Sequence, residues 1–451
     1  MLLSFFQRLG RPFRTMRPGR LIVLVFLFII LLGAGLLCLP AASRSGEPTP
    51  FLTSLFTATS ATCVTGLIRV DTGTHWAMFG QVVILLLIQI GGLGFMTIAC
   101  LFFFALRRKI GLRERMVLAQ ALGSDSYSGI VSLVRNILRG TAAVEGAGAL
   151  ILFFRFLPEF GFGKALWYGV FHSISAFCNA GFDVLADTDV GGSLCRYATD
   201  PVVNFTIMAL IIIAVWGDIR HNRRFSRMSV YTRLVILITT VLIFGGAGIF
   251  AALEWNNPGT LGGLTPSQKL MAALFQSVTL RTAGFATFDQ NALSDVSKAV
   301  ADFLMLVGGS SGSTAGGVKT VTVGVILLAA WSTARGRTSV QIMKRRIPQQ
   351  AVANASALFI LVLLLSGLGA AFLSIADHVS LENALYETIS ALCTVGLTTG
   401  ITSSLCAASQ IVLIIFMFFG RLGIMTISVG FMAADRAEER VSYAETKIMI
   451  G

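Results

Sequence analysis

Apolar residues in this chain come in long unbroken runs, and short arginine-rich segments separate them. Runs such as residues 21–39 and 82–106 hold roughly 20 apolar positions, enough to cross about 30 Å of hydrocarbon. Between successive basic segments the chain has to leave one side and return, so each interval holds an even number of crossings. The pattern predicts outgoing spans at 21–39, 130–157, 234–253 and 353–375, and returning spans at 79–106, 202–219, 299–331 and 407–432. Each interval also holds a third apolar piece, at 51–62, 165–177, 270–280 and 381–392. At about 1.5 Å per residue these reach only about halfway through the core. A helix that stops there has to be shielded by protein or border a wet cavity.

The residues just after each half-length piece carry the most information. The four segments read Cys63-Val64-Thr65-Gly66-Leu67, Cys178-Asn179-Ala180-Gly181-Phe182, Arg281-Thr282-Ala283-Gly284-Phe285 and Cys393-Thr394-Val395-Gly396-Leu397. The glycines recur a little over a hundred residues apart, in the same local context, which is the mark of internal repetition. Ser60, Ser175 and Ser390 each lie six residues before their glycine, whereas the third segment departs, with Ser277-Val278-Thr279 shifted by one. A second echo pairs Gly91-Gly92-Leu93-Gly94 with Gly420-Arg421-Leu422-Gly423 in the first and fourth returning spans.

Composition fits this pattern. Mean hydropathy is +0.79, and only 13% of the 451 residues are charged, too few to cover a water-soluble protein of this size. The net charge of +13 is gathered in five places. These are Arg8, Arg11, Arg14, Arg17 and Arg20; Arg107, Arg108, Lys109, Arg113 and Arg115; Arg220, Arg223, Arg224, Arg227 and Arg233; Arg335, Arg337, Lys344, Arg345 and Arg346; and Arg436, Arg440 and Lys447. Each abuts an apolar run, so the charge reads as juxtamembrane anchoring and not as a nucleic-acid surface, and the positive-inside rule makes all five segments and both termini cytoplasmic. The first run is too long for a signal-peptide core and further spans come after it, so it reads as an uncleaved first helix of a multi-pass plasma (inner) membrane protein. The seven cysteines show no metal-type spacing. Cys195 and Cys406 are the pair that the pattern leaves outside the membrane, where a disulfide can form.

The fold class read from this is an all-α membrane protein with eight spans and four re-entrant half-helices around one central pore. The expected division is a cytoplasmic N-terminal segment 1–20, repeat 1 at 21–106, a linker 107–129, repeat 2 at 130–219, a linker 220–233, repeat 3 at 234–332, a linker 333–350, repeat 4 at 351–432 and a C-terminal tail 433–451. A half-helix ending at mid-membrane points the negative end of its dipole at the bilayer centre. Extended backbone running on from it offers carbonyl oxygens in place of a cation's water shell. The expected ion-binding residues are Val64, Thr65, Gly66, Asn179, Ala180, Gly181, Thr282, Ala283, Gly284, Thr394, Val395 and Gly396, with no side-chain carboxylate among them.

Enzymatic chemistry has little to stand on. The four histidines are scattered, and HExxH and paired intramembrane aspartates are missing from the sequence. The third returning span is interrupted by Gly308, Gly309, Gly312, Gly316 and Gly317, five glycines within ten residues, which should unwind a helix. Lys319 and Arg421 are cations inside apolar spans, costly positions that by default mark function. Arg281 stands beside the third glycine, where Glu387 of the fourth half-helix is its expected ion-pair partner.

These segments resemble the superfamily of K⁺ transporters comprising the Trk, Ktr and HKT proteins, over roughly residues 20–435. The resemblance implies four helix–pore-loop–helix repeats in one chain. With eight spans and no extra N-terminal pair, the chain is more similar to the Ktr membrane subunit than to the longer Trk one. Glycine in all four loops implies K⁺ preference, the alternative being a Na⁺-conducting or cation-symporting member. The resemblance further implies that the stretch 308–317 is an intramembrane gating loop with Arg421 near it. It also implies a homodimer in which each protomer keeps its own pore, and a cytosolic RCK-type ring that binds ATP or ADP. Beyond membrane lipid, K⁺ as substrate and possible Na⁺, no organic cofactor is expected. The second returning span lacks the Gly-Gly-x-Gly element that the family places there, and is shortened to match.

Overall fold

A computed structural model of the chain describes residues 18–94, 130–185, 192–215, 230–310, 316–337, 339–343 and 345–423. Gly312, Lys344 and most of the basic clusters (at 8–17, 107–115, 220–227 and 436–447) lie outside them. The described chain is predominantly helical. In chain order its helices are α1 (Pro18–Leu37), α2 (Phe51–Thr62), α3 (Thr72–His75), α4 (Met78–Leu93), α5 (Ile130–Cys178), α6 (Pro201–Val215), α7 (Val230–Glu254), α8 (Pro266–Thr279), α9 (Asp295–Leu306), α10 (Thr320–Ala334), α11 (Gln349–Asp377), α12 (Leu381–Leu392) and α13 (Ala407–Leu422). Strands β1 (Gln341–Ile342) and β2 (Arg345–Arg346) form an antiparallel hairpin between α10 and α11, inside a segment expected to be a plain linker.

The helix ends obey local chemistry. Helix α8 opens with a capping box: the Thr265 side chain caps one end of its first turn while Gln268 reaches back to the Thr265 N–H. Asp71, Ser294 and Ser380 accept the N–H groups of Thr74, Ser297 and Asn383 at the starts of α3, α9 and α12. Two returning helices end at a glycine, and the rest of their expected spans, 95–106 and 424–432, lies outside the described residues. Helix α4 ends at Gly94, with φ of 77°, and α13 ends at Gly423, with φ of 80°. These are the last glycines of the two echoed motifs, and their positive φ is combined with an extended ψ of 137° and 123°, a conformation that glycine adopts without steric cost. Helix α5 carries both a span and a half-length helix, bent at Gly161, where φ is 70° and ψ is 172°, three residues after Pro158.

Among the described residues, three helical stretches are long and apolar enough to cross a bilayer unaided: Val134–Cys178, Tyr231–Glu254 and Gln349–Asp377. The remaining spans expected from hydropathy contain shorter apolar helices. Large apolar side chains such as Phe28, Phe154, Phe244, Leu368 and Ile375 point outward from the long helices, as lipid-facing residues do. Inside, α2 packs on α1 and α4, α5 on α6, α8 on α7, and α12 on α11 and α13. Contacts between these groups run from α4 to α5, from α6 to α8, from α9 to α12, and from α13 back to α2. The helices therefore close on themselves.

Candidate functional site

The short helices α2, α8 and α12, together with the final stretch of α5, are polar at their C-terminal ends yet fully buried. Ser60, Thr62, Ser175, Thr279, Ser390 and Thr388 are at most 1% exposed. Buried hydroxyls ordinarily find partners, and four of these six serve the adjoining turn, while Thr388 bonds the carbonyls of Ser366 and Ala384 and Thr62 has no partner among the described residues. Ser60 Oγ accepts the N–H of Gly66 at 3.0 Å, and Ser390 Oγ accepts the N–H of Gly396 at 3.0 Å. Ser175 Oγ donates to the carbonyl of Phe182 at 2.7 Å. In the third turn the equivalent bond comes from Thr279, whose hydroxyl donates to the Phe285 carbonyl at 2.6 Å, while Ser277 bonds the carbonyls of Leu242 and Ile243. The one-residue shift seen in the sequence is thus absorbed by a change of hydroxyl donor.

The backbone of the four turns has one pattern. Val64, Asn179, Thr282 and Thr394 have φ of 56°, 61°, 68° and 52°, and the glycines two residues later have φ of 102°, 68°, 81° and 92°. The residues between them, Thr65, Ala180, Ala283 and Val395, keep negative φ. Alternating handedness turns every second peptide over, so successive carbonyls are brought toward one side, where an ordinary strand would alternate them. A β-branched residue at positive φ is rare and strained, and three of the four turns carry one.

The four glycines stand against one another. A methyl group on Gly66 would come within 2.5 Å of the Ala180 carbonyl oxygen, one on Gly181 within 2.9 Å of the Ala283 oxygen, and one on Gly284 within 2.6 Å of the Val395 oxygen. A methyl on Gly396 would collide with the Thr65 oxygen, which returns the chain of contacts to the first turn. The order of contact is the order in the sequence, closed into a ring. All twelve expected ion-binding residues lie in these turns. The side chains of Asn179, Thr282, Thr394 and Thr65 are buried at the ring, and each has polar atoms without a hydrogen-bond partner among the described residues.

The described ends of the glycine-rich interruption lie directly against this ring. Helix α9 ends at Leu306, and the chain returns at Val318, where Val307 and Val318 form a parallel bridge. The Gly308 N–H donates to the Val318 carbonyl at 2.9 Å and the Thr320 N–H to the Gly309 carbonyl at 3.1 Å. Gly316 and Gly317 pack on Thr394 and Cys393 so closely that a methyl on Gly316 would collide with the Thr394 hydroxyl. The described neck, residues 307–310 and 316–320, therefore touches the base of the fourth turn.

Three cations gather on the same side. Arg421 of α13 donates from Nη2 to the carbonyls of Gly91 and Gly92, at 2.5 and 3.2 Å, near the end of α4, where a cation complements the helix dipole. Lys319 stands at the start of α10, immediately before Thr320. Arg281 does not pair with Glu387 as expected. Its Nη2 donates to the Gly308 carbonyl and the Thr320 hydroxyl, each at 3.2 Å. Glu387 is already engaged by the hydroxyls of Thr398 and Thr402. Cys195 and Cys406, between which a disulfide was left open, are not joined: the Cys195 thiol donates to the Ala286 carbonyl and the Cys406 thiol to Asp377.

One residue of this neighbourhood was missed by sequence reasoning. Glu145 lies within α5, 8% exposed, and Gln89 of α4 donates to both of its oxygens at 3.1 and 3.2 Å, beside Cys178. The available signal was a lone carboxylate inside an apolar run.

Comparison with known proteins adds a family and a fold. The profile of the TrkH family, described as a cation transport protein, matches residues 11–440. The chain is 39% identical to the potassium/sodium uptake protein NtpJ of Enterococcus hirae, over 97% of this chain and 98% of that one. It is 38% identical to the Ktr system potassium uptake protein B of Bacillus subtilis, over 96% and 97%. Among solved structures, the potassium transporter TrkH from Vibrio parahaemolyticus matches with a TM-score of 0.71 at 18% identity, over 92% of this chain and 84% of that one.

Proposed function

Because the chain belongs to the TrkH cation transport family, we propose that it takes up K⁺ across the plasma membrane through one pore whose selectivity filter is the ring of four glycine turns. The observation that carries this reading is the closed order of contact among Gly66, Gly181, Gly284 and Gly396. Four helix C-termini directed at that ring each bring roughly half a negative charge, about two in all, into a region that water reaches poorly. A monovalent cation is the ligand that such a place stabilises. Carbonyl oxygens of the alternating backbone replace its water shell, and the partnerless side chains of Asn179, Thr282 and Thr394 offer further oxygens at one end of the ring.

The division into four repeats with the boundaries stated from the sequence, the cytoplasmic placement of both termini and the eight crossings belong to this proposal. So does the gate. The stretch 308–317, with Lys319 and Arg421, obstructs the pore on the cytoplasmic side of the filter and moves when the transporter opens. Support comes from the neck's packing on Cys393 and Thr394. The regulatory partner is read as a cytosolic RCK-type ring that binds ATP or ADP, acting on a homodimer of this chain. Support comes from similarity to proteins named as parts of a Ktr system, and the exposed hairpin carrying Arg345 and Arg346 is available for such contact.

A second reading is kept because one similar protein is named for both potassium and sodium: a member that conducts Na⁺ as well. Uptake measured in cells lacking their own K⁺ systems, then flux into liposomes under separate K⁺ and Na⁺ gradients, separates the two. Equal flux of both ions would favour the second reading. No flux of either would remove the transport proposal.

A further inference from the structure

Three residues before each ring glycine stand Cys63, Cys178, Arg281 and Cys393. Three turns have a small thiol there and the third has a guanidinium, which stays charged at any working pH. Arg281 is 2% exposed, makes no ion pair among the described residues, and its Nε has no partner there. A buried cation that faces only a carbonyl and a hydroxyl is expensive in an apolar region, and packing does not require it, since cysteine fills the same place three times.

What the guanidinium holds explains its presence. Gly308 opens the glycine-rich interruption and Thr320 opens α10 just beyond its far end, and Arg281 Nη2 bonds both at once. The Thr320 hydroxyl donates in turn to the Gly308 carbonyl at 2.9 Å, so the three residues form a closed triangle. The neck is thereby fixed to the base of the third turn by Arg281 and wedged against the base of the fourth by Gly316.

We propose that Arg281 is a positioning residue that fastens the neck of the glycine-rich interruption beneath the ring and so sets how readily the pathway opens, without choosing the ion. The inference rests on the gating role proposed for that stretch. Arg281 acts on Gly308 and Thr320, and through them on the backbone that has to shift for ions to pass. Releasing the triangle favours the open arrangement.

The test uses the full-length chain in liposomes without a cytosolic partner, with K⁺ and Na⁺ fluxes measured separately. Arg281→Met removes the charge and both bonds while keeping apolar volume, and it leaves the Gly308 carbonyl with the Thr320 hydroxyl as donor. Thr320→Val breaks the triangle from its other side, and Thr320→Ser retains the hydroxyl. Expected are K⁺ fluxes raised about tenfold in Arg281→Met and in Thr320→Val, the worth of one charge-assisted hydrogen bond, with the K⁺/Na⁺ ratio unchanged. Arg281→Lys should fall between Arg281→Met and wild type, Thr320→Ser should match wild type, and the double variant Arg281→Met/Thr320→Val should not exceed the larger single effect. Identical fluxes from Thr320→Val and Thr320→Ser would overturn the proposal, as would a lowered K⁺/Na⁺ ratio in Arg281→Met. Deletion of residues 310–315 serves as the reference. If the deletion raises flux while Arg281→Met and Thr320→Val do not, the positioning role fails and the gate stands. If the deletion leaves flux unchanged, the gating role itself fails.

Discussion

Replacing the ring glycines one at a time with alanine, and Gly66 and Gly284 also with serine, should produce a graded loss of ion discrimination. Two quantities set the grade. The first is backbone conformation: φ is 102° at Gly66, 92° at Gly396, 81° at Gly284 and 68° at Gly181, and a residue with a side chain held there costs about 1–3 kcal/mol. The second is space. A methyl on Gly66 would stop 2.5 Å from the Ala180 oxygen, about 0.9 Å short of the 3.4 Å at which ordinary contact begins, whereas on Gly181 it would stop 2.9 Å from the Ala283 oxygen. The neighbouring carbonyl has to retreat by most of that shortfall, and that carbonyl is a proposed ligand of the ion. If 1.4–3 kcal/mol of the K⁺ preference is lost, the K⁺/Na⁺ ratio falls about tenfold to a hundredfold. Gly396 and Gly66 should be the most sensitive positions, Gly284 next and Gly181 the least, because both measures place Gly181 last. Liposome flux under bi-ionic gradients reads the ratio directly, and size-exclusion behaviour checks folding. An unchanged ratio in both Gly66→Ser and Gly284→Ser would refute the filter reasoning, and a ranking led by Gly181 would refute the geometry behind it.

Further expectations concern single contacts. Ser390→Ala leaves the buried Gly396 N–H without its acceptor, at a cost of about 1–3 kcal/mol, so both thermal stability and the K⁺/Na⁺ ratio should fall. Ser277→Ala should spare the ratio, because Thr279 serves the third turn. Arg421→Met removes a cation beneath the ring and should raise K⁺ flux about fivefold, the equivalent of about 1 kcal/mol, while Arg421→Lys should stay near wild type; equal fluxes in all three proteins would dismiss an electrostatic role. His75, bonded to Thr49 at 3.0 Å, is held by burial below its ordinary pKa. Its folded form resists protonation, so its contribution is intact above the unfolded value of about 6.5 and is lost as pH falls below it. Thermal melts should therefore drop more steeply between pH 7 and pH 5 in wild type than in His75→Gln.

Much of the helix layout could be read from the chain because its determinants are local. The short helices Phe51–Thr62 and Leu381–Leu392 occupy the residues that apolar length and the adjoining polar turn indicate, and the glycines at 66, 181, 284 and 396 are distinct in any alignment of the chain with itself. Long-range choices of partner were not legible. Opposite charge paired Arg281 with Glu387, yet two hydroxyls from the residues after the fourth turn, Thr398 and Thr402, reach that carboxylate first. Hydropathy gave no sign of the helix ends at Gly94 and Gly423, since an apolar average cannot register a single glycine at positive φ. The hairpin at 341–346 is too short for an alternating pattern to show. Glu145 was overlooked because its partner, Gln89, lies on another helix.

The position held by Cys63, Cys178, Arg281 and Cys393 has a consequence for how such an assembly can evolve. Were the ring made from four identical subunits, any residue placed there would appear four times, and four buried guanidiniums around one ring would repel one another. Writing all four quarters into one polypeptide lifts that restriction. A single quarter can specialise while its three counterparts keep the plain version, and the cost of one buried charge is met only once.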